Sequence, residues 1–282
     1  MSANSGSREN VSIIGIIGGI GPQAGIDFAE KILSNTRAAR DQDHLNCMLI
    51  SCPSLIPDRT EFILGSKNDD ENPAFGLFEC ASRLYAAGSR LAVVACNTAH
   101  ASRIYSPFLE MAKDAFPALR IENMLEVCAD FTKTRLKISE LGLLATLGTH
   151  KSGVYREYFR REDGFSLIEP DDEGQKRVHE AIYGEYFGIK AHSWPISPQA
   201  SEIIKKEILR LSARGARAII LGCTELPLAF RMMNNPVSGN PQKAISLLDT
   251  GLTNYPVPLI DPGLIAARRL IELAAPEKLL PL

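Results

Sequence analysis

The chain has 282 residues, 45% of them hydrophobic and 23% charged, with a formal net charge of -2, so it is long enough for one large or two medium domains around a substantial core. The near-neutral balance gives no reason to expect nucleic acid or an anionic membrane as partner. No apolar run approaches the roughly 18–20 residues that a bilayer crossing needs.

Residues 1–10, MSANSGSREN, have no apolar stretch of the kind a secretory signal carries. They read as a short flexible lead-in, and a cytoplasmic protein is the expectation. A first strand is expected over Ser12–Ile17, followed by the loop Gly18-Gly19-Ile20-Gly21-Pro22 and a helix over Gln23–Asn35. Strand Cys47–Ser51 runs into a proline-punctuated loop that carries Asp58, Arg59 and Thr60. A helix over Asn72–Ala87 and a strand over Leu91–Ala95 lead to Cys96-Asn97-Thr98. Further on come strand Leu141–Ala145 with Gly148-Thr149 behind it, and an aromatic-rich stretch Tyr183–Phe187 ahead of Lys190. Helix Ala200–Ala213 and strand Ala218–Leu221 lead to Cys223-Thr224-Glu225, and strand Val257–Ile260 precedes a last helix over Gly263–Leu273. Continuous apolar strands alternating with amphipathic helices predict an α/β protein whose parallel sheets are covered on both faces.

Sliding the chain by 127 residues aligns two segments without gaps. Ile14-Gly15-Ile16-Ile17 falls on Leu141-Gly142-Leu143-Leu144, and Ala92-Val93-Val94-Ala95-Cys96 falls on Ile219-Ile220-Leu221-Gly222-Cys223. Two strand-loop units sharing one offset predict two pseudo-symmetric, doubly wound α/β domains. The expected division is residues 11–120 plus 231–282 for the first domain and 121–230 for the second, with the Val257–Ile260 strand and the last helix returning to the first. Ligands of such sheets sit beyond the carboxyl ends of the strands. Cys96 and Cys223 both follow strands, so both are expected at the cleft between the domains.

Six cysteines in a chain this long, without a secretory signal, are expected as thiols rather than disulfides. There is no C-x-x-C pair and no histidine at zinc-site spacing, so no metal is expected. Cys47, Cys52, Cys80 and Cys128 read as structural, with Cys52 the nearest in sequence to Arg59. Two opposed thiols suit inversion at a carbon, where one group removes a proton from one face and the other delivers a proton to the opposite face. A thiol pKa near 8.5 makes both forms accessible, and strand-end loops running into helix N-termini would favour the thiolate. The α-carbon of an amino acid is a weak acid, so its carboxylate must be held by cations and donors. Arg59 and Lys190 are the candidate cations, and Asn97, Thr98, Thr149 and Thr224 the candidate neutral donors. His100 reads as a packing or capping residue, Glu225 as a group that orients the site, and Asn123 as a hinge or loop anchor.

The segments Gly18-Gly19-Ile20-Gly21-Pro22, Ile56-Pro57-Asp58-Arg59-Thr60, Cys96-Asn97-Thr98-Ala99-His100, Gly148-Thr149 and Leu221-Gly222-Cys223-Thr224-Glu225-Leu226-Pro227 resemble, in order, the landmarks of the aspartate/glutamate racemase family. The resemblance implies a cofactor-independent racemase of a small acidic amino acid, aspartate before glutamate, acting as a homodimer. It implies that Cys96 and Cys223 are the paired catalytic cysteines, that Arg59 binds a substrate carboxylate, and that Lys190 binds a second one. By the same analogy Cys223 serves the L face and Cys96 the D face. The family also includes hydantoin racemases, maleate isomerases and arylmalonate decarboxylases, so decarboxylation or isomerisation of a small dicarboxylate stays open, as does a non-catalytic dicarboxylate-binding module. Gly19–Ala24 also satisfies G-x-G-x-x-A, with Asp41 and Asp43 about 20 residues on, but a dinucleotide site leaves the repeated cysteines unexplained. A cysteine phosphatase would need an arginine at position 102, which is Ser102.

Overall fold

A computed structural model describes residues 13–18, 20–231 and 255–282; the expected lead-in 1–10, Ser12, Gly19 and residues 232–254 lie outside the described residues. The first half runs β1 (Ile13–Gly18), α1 (Pro22–Asn35), β2 (Asn46–Ser51), α2 (Arg59–Ile63), α3 (Pro73–Ala86), β3 (Leu91–Val94), α4 (Ser102–Ala115) and β4 (Arg120–Glu122). The second runs α5 (Met124–Phe131), β5 (Glu140–Ala145), α6 (Leu147–Ser152), α7 (Val154–Tyr158), β6 (Ser166–Ile168), α8 (Asp172–Tyr183), α9 (Pro198–Ala213), β7 (Ala218–Gly222), α10 (Leu228–Arg231), β8 (Leu259–Ile260) and α11 (Pro262–Ala274). All described strand pairs are parallel, in the orders β2-β1-β3-β4 and β6-β5-β7-β8. These are two α/β units of one topology, as the repeat predicts.

The repeat holds at the level of register and packing. Ile14 pairs with Leu91, and at an offset of 127 residues Leu141 pairs with Ala218. A Cβ at Gly15 would lie 2.7 Å from Ser89 Oγ and 2.9 Å from Leu84 Cδ1; at Gly142 it would meet Ala216 and Leu211, the positions 127 residues further on. Helices α3 and α9 are followed by Gly88 and Gly215, with φ of 97° and 99°. This left-handed turn, which glycine enters without Cβ strain, ends each helix and sends the chain into β3 or β7.

Side chains alternate along the central strands and divide the interior into three parts. Ile14 and Ile16 of β1, Val93 of β3, Leu141 and Leu143 of β5, and Ile220 of β7 point into one core shared by the two sheets, with α1, α5 and α11. The opposite faces carry separate cores, one under α3 and α4 and one under α8 and α9.

The expected division of the chain needs correction at three places. Strand β4 runs through Glu122, so a break at 120 would cut a strand of the first sheet. Arg231, the expected start of the return to the first domain, is the last residue of α10, which directly follows β7 and its loop. The 257–260 segment extends the second sheet instead of joining the first: β8 pairs with β7 as β4 pairs with β3. Pro256 and Pro258 lack N–H groups, which confines the strand to two residues on a sheet edge. Helix α11 packs against α1 and α5. Its N-cap Asp261 accepts from Gly263 and Leu264 N–H and pairs with Lys31, which also pairs with Asp27; both contacts are 2.5 Å.

Candidate active site

Cys96 lies two residues beyond β3 and Cys223 one residue beyond β7, at the carboxyl edges of the two sheets and only 8% and 6% exposed. Strand alternation fixes both thiols toward the outer core of their own half. Neither stands in isolation.

The second half brings its own charges to Cys223. The thiol donates to Glu225 Oε2 at 2.9 Å, Thr224 Oγ1 donates to the same oxygen at 3.3 Å, and Lys190 Nζ sits 2.5 Å from Glu225 Oε1. Burial raises the pKa of Glu225, but Lys190, the Cys223 thiol and Arg59 outweigh it and hold the carboxyl at about 2. Burial likewise lowers that of Lys190, and Glu225, then Cys223, drive it above the usual lysine range. Cys223 itself is pushed well up, first by burial and then by the Glu225 charge, against a smaller opposing pull from Lys190. The helix N-terminus expected to favour a thiolate is not in play here, because α10 begins five residues after Cys223. Glu225 therefore takes a hydrogen bond and leaves the proton on sulfur.

The first half supplies Arg59 at the first turn of α2. Asp58 caps this helix, accepting from Glu61 N–H at 2.9 Å, while its other oxygen accepts from Tyr183 OH at 3.1 Å. With the phenol proton given to Asp58, the Thr60 hydroxyl donates to Tyr183 oxygen at 3.3 Å. Tyr183 ends α8, so the second half clamps the helix that carries Arg59, and the Tyr183 ring lies 5.1 Å from Lys190 Nζ. Arg59 is buried among Cys96, Tyr183, Asp58 and Glu225, whose combined field outweighs burial and raises its pKa. Gly21 closes the site from the loop after β1: a Cβ there would collide with Glu225 Oε1.

Of the candidate donors, Asn97 Oδ1 accepts from Tyr155 OH at 2.7 Å, whereas its Nδ2, like Arg59 Nε, is buried with no hydrogen-bond partner among the described residues. An unmet donor on a buried cation marks a place suited to an anion. Thr98 and Thr149 depart from expectation. Their hydroxyls are 2.7 Å apart, with Thr146 Oγ1 at 3.4 Å and 3.1 Å, so they join the halves to each other rather than standing open as donors. Among the described residues no group of three or more His, Cys, Asp or Glu side chains could hold a metal ion, and no helix is long and apolar enough to cross a membrane.

A sequence profile of the Asp/Glu/Hydantoin racemase family matches residues 17–270. The chain belongs to this family. It is 27% identical to an aspartate racemase of Picrophilus torridus, covering 93% of this chain and 94% of that one with a TM-score of 0.72. The glutamate racemase of Francisella tularensis subsp. tularensis SCHU S4, solved with D-glutamate, shares the fold at 20% identity and a TM-score of 0.59, over 97% and 84% of the two chains. In sequence it is 27% identical to a glutamate racemase of Roseiflexus sp. (strain RS-1) over 175 residues, 61% of this chain and 57% of that protein. The chain spans under two thirds of the length of the first curated relatives it matches, 57%, 62% and 64%.

Two further residues tie this racemase-family site to its frame. Asn123 caps α5, accepting from Leu125 and Glu126 N–H, and donates to Tyr158 OH at 2.7 Å. His100 Nδ1 lies 2.8 Å from the Cys96 carbonyl oxygen and its Nε2 accepts from Met124 N–H at 3.3 Å. The carbonyl has no proton to give, so His100 is the neutral Nδ1–H tautomer, holding the Cys96 loop against the start of α5. Burial pushes this histidine down to about 4 from 6.5. Below the unfolded value the unfolded chain takes a proton that the fold refuses, so stability is full above about pH 6.5 and declines toward pH 4, by up to about 3 kcal/mol from this group. Urea unfolding across that window should show the loss, and His100→Gln should flatten the slope; equal slopes in the two proteins would rule this out.

Proposed function

We propose that this chain interconverts the L and D forms of an acidic amino acid, aspartate before glutamate, with Cys96 and Cys223 as its acid/base pair. The observation that carries the reading is the pair of strand-end thiols at repeat-related positions, linked through two cations, the buried Arg59 from one half and the half-buried Lys190 from the other. Two cations answer the two carboxylates of an acidic amino acid. Arg59 and the free amide protons of Asn97 take the α-carboxylate and stabilise the charge that grows on it as the α-proton leaves. Lys190 takes the other carboxylate, sharing its charge with Glu225, and Thr224 holds Glu225 in place.

With Cys223 resting as a thiol, the site is set for one direction: Cys96 as thiolate removes the proton of the D enantiomer and Cys223 delivers its own to the opposite face. The reverse direction needs Cys223 deprotonated, and a substrate carboxylate drawing Lys190 from Glu225 raises Glu225 toward a range in which it accepts that proton. The thiols perform both transfers, so the chemistry asks for neither pyridoxal phosphate nor a metal. The homodimer belongs to the same proposal, and light scattering should give twice the chain mass.

The experiment is α-hydrogen exchange in D2O, followed by NMR and chiral chromatography, on L- and D-aspartate and glutamate without added cofactor. Deuterium incorporation with inversion is expected, faster for aspartate. No exchange with any of the four, from folded protein, would overturn the reading in favour of decarboxylation or isomerisation of a small dicarboxylate, or of binding alone. Gly148 offers a second check, because an added Cβ would lie 2.6 Å from Thr60 Oγ1 and 2.7 Å from Thr60 Cα. The backbone of α2 must then move, carrying Arg59 with it. Gly148→Ala should lower kcat/KM on the order of tenfold to a hundredfold, since about 1 Å of misplacement can cost that much; unchanged kinetics would remove Arg59 from its assigned role.

A further inference from the structure

Two thiols outside this site meet at the outer core of the first half. Cys52, half-buried, ends the β2 edge and opens the segment that leads to Arg59. Cys80 is fully buried on α3, three residues before Arg83 and so on the same face of the helix. Arg83 Nη1 donates to Cys52 Sγ at 3.4 Å, and Cys52 packs against the core that holds Cys80, near enough to push the Cys80 thiol up. The segment is seated firmly on the helix, because the Leu55 carbonyl occupies the space a side chain at Gly76 would need. The other non-catalytic cysteines lack this arrangement. Among the described residues no charged group acts on the exposed Cys47, and no cation stands beside the fully buried Cys128.

We propose that Cys52 and Cys80 are a peroxide-oxidisable dithiol, a modification site separate from the catalytic pair. Arg83 donates a hydrogen bond to the Cys52 sulfur, and partial exposure lets a small oxidant reach it. The Cys52 thiolate attacks one oxygen of hydrogen peroxide. The O–O bond breaks, and Cys52 sulfenic acid forms with release of hydroxide, which recombines with the proton lost from Cys52 to give water. Cys80 sulfur then attacks Cys52 sulfur, the S–O bond breaks, and the departing hydroxide leaves as water with the Cys80 proton. Two thiols and one hydrogen peroxide become one disulfide and two waters. The order of attack follows from the surroundings: burial first, then the neighbouring Cys52, pushes the Cys80 thiol up to about 12, so Cys80 resolves and does not initiate.

The test is to treat the full chain with near-stoichiometric hydrogen peroxide, block with N-ethylmaleimide in denaturant, and map tryptic peptides by tandem mass spectrometry. Peptide 41–59 should be joined to peptide 68–83 through Cys52 and Cys80, with fragment ions placing the bond at Cys52 and not Cys47. Cys52→Ser and Cys80→Ser should each abolish the link, and the second should leave Cys52 as a sulfenic acid that dimedone traps. Arg83→Gln should slow Cys52 oxidation on the order of tenfold, the effect of losing one charge-assisted hydrogen bond to the sulfur. Oxidation confined to Cys96 and Cys223, or a Cys52 that pairs elsewhere or stays reduced, would overturn the proposal. The mapping reads sulfur and not turnover, so its outcome is independent of whether the chain racemises aspartate.

Discussion

Cys223→Ser is expected to lower the rate of aspartate inversion by about a hundredfold to ten-thousandfold, the range a positioned acid/base group contributes. Serine fits the space but its hydroxyl is a far weaker acid, so it cannot deliver the proton that the buried Cys223 thiol holds ready against Glu225. Cys96→Ser should be as damaging, since Cys96 is the thiol that faces Arg59. The two variants should differ in what survives. With Cys223 removed, Cys96 still meets D-aspartate and can exchange its α-proton for deuterium without inversion. With Cys96 removed, the residual exchange should fall on L-aspartate. NMR on each pure enantiomer separates these outcomes. Residual exchange on the opposite enantiomers would reverse the assignment of faces, and inversion retained by both variants would end the two-thiol mechanism.

The pairing of those two thiols was legible in the sequence because the repeat is rigid where they sit. The 127-residue offset that aligns Cys96 with Cys223 also aligns Gly15 with Gly142, and each glycine is held by packing against the helix behind it. Elements without that periodic support were not legible. Strands β4 and β6 are three residues long, too short for alternation to show; β8 falls within the strand expected over Val257–Ile260, but its place in the second sheet depends on its partner β7 and not on its own two residues. The contacts that shape the site are mostly long in sequence. Tyr183 meets Asp58 across 125 positions and Lys190 meets Glu225 across 35. The motif Cys223-Thr224-Glu225 put Glu225 in view, but its role depends on Lys190, which no local pattern connects to it. In sequence Thr98 and Thr149 read as open donors, since single hydroxyls beside strand ends look available; their 2.7 Å contact with each other arises only where the two halves meet.

The Glu225–Lys190 pair leads to the other large effect. Glu225→Gln should cost up to about 3 kcal/mol of stability, because it leaves a half-buried ammonium without its counter-charge. Urea unfolding should show this loss, and by itself it would fit a purely structural pair. The functional consequence is read at Cys223. The Glu225 charge and the hydrogen bond to its carboxylate both raise that thiol, while Lys190 lowers it. With glutamine in place, two of the upward influences are gone and the cation remains, so the pH midpoint for alkylation of Cys223 should move to lower pH. The sign matters. A thiol that ionises more easily is a poorer acid for delivering its proton, so kcat starting from D-aspartate should fall more than kcat starting from L-aspartate, while kcat/KM stays equal in the two directions because the enantiomers have equal free energy. Double variants separate the two effects. Adding Lys190→Met to Glu225→Gln removes the stranded charge and should restore part of the stability, but it should move the alkylation midpoint back up and leave substrate binding impaired. An alkylation midpoint that stays in place in Glu225→Gln, in folded protein, would mean that Glu225 holds Lys190 for structural reasons and does not govern the proton on Cys223.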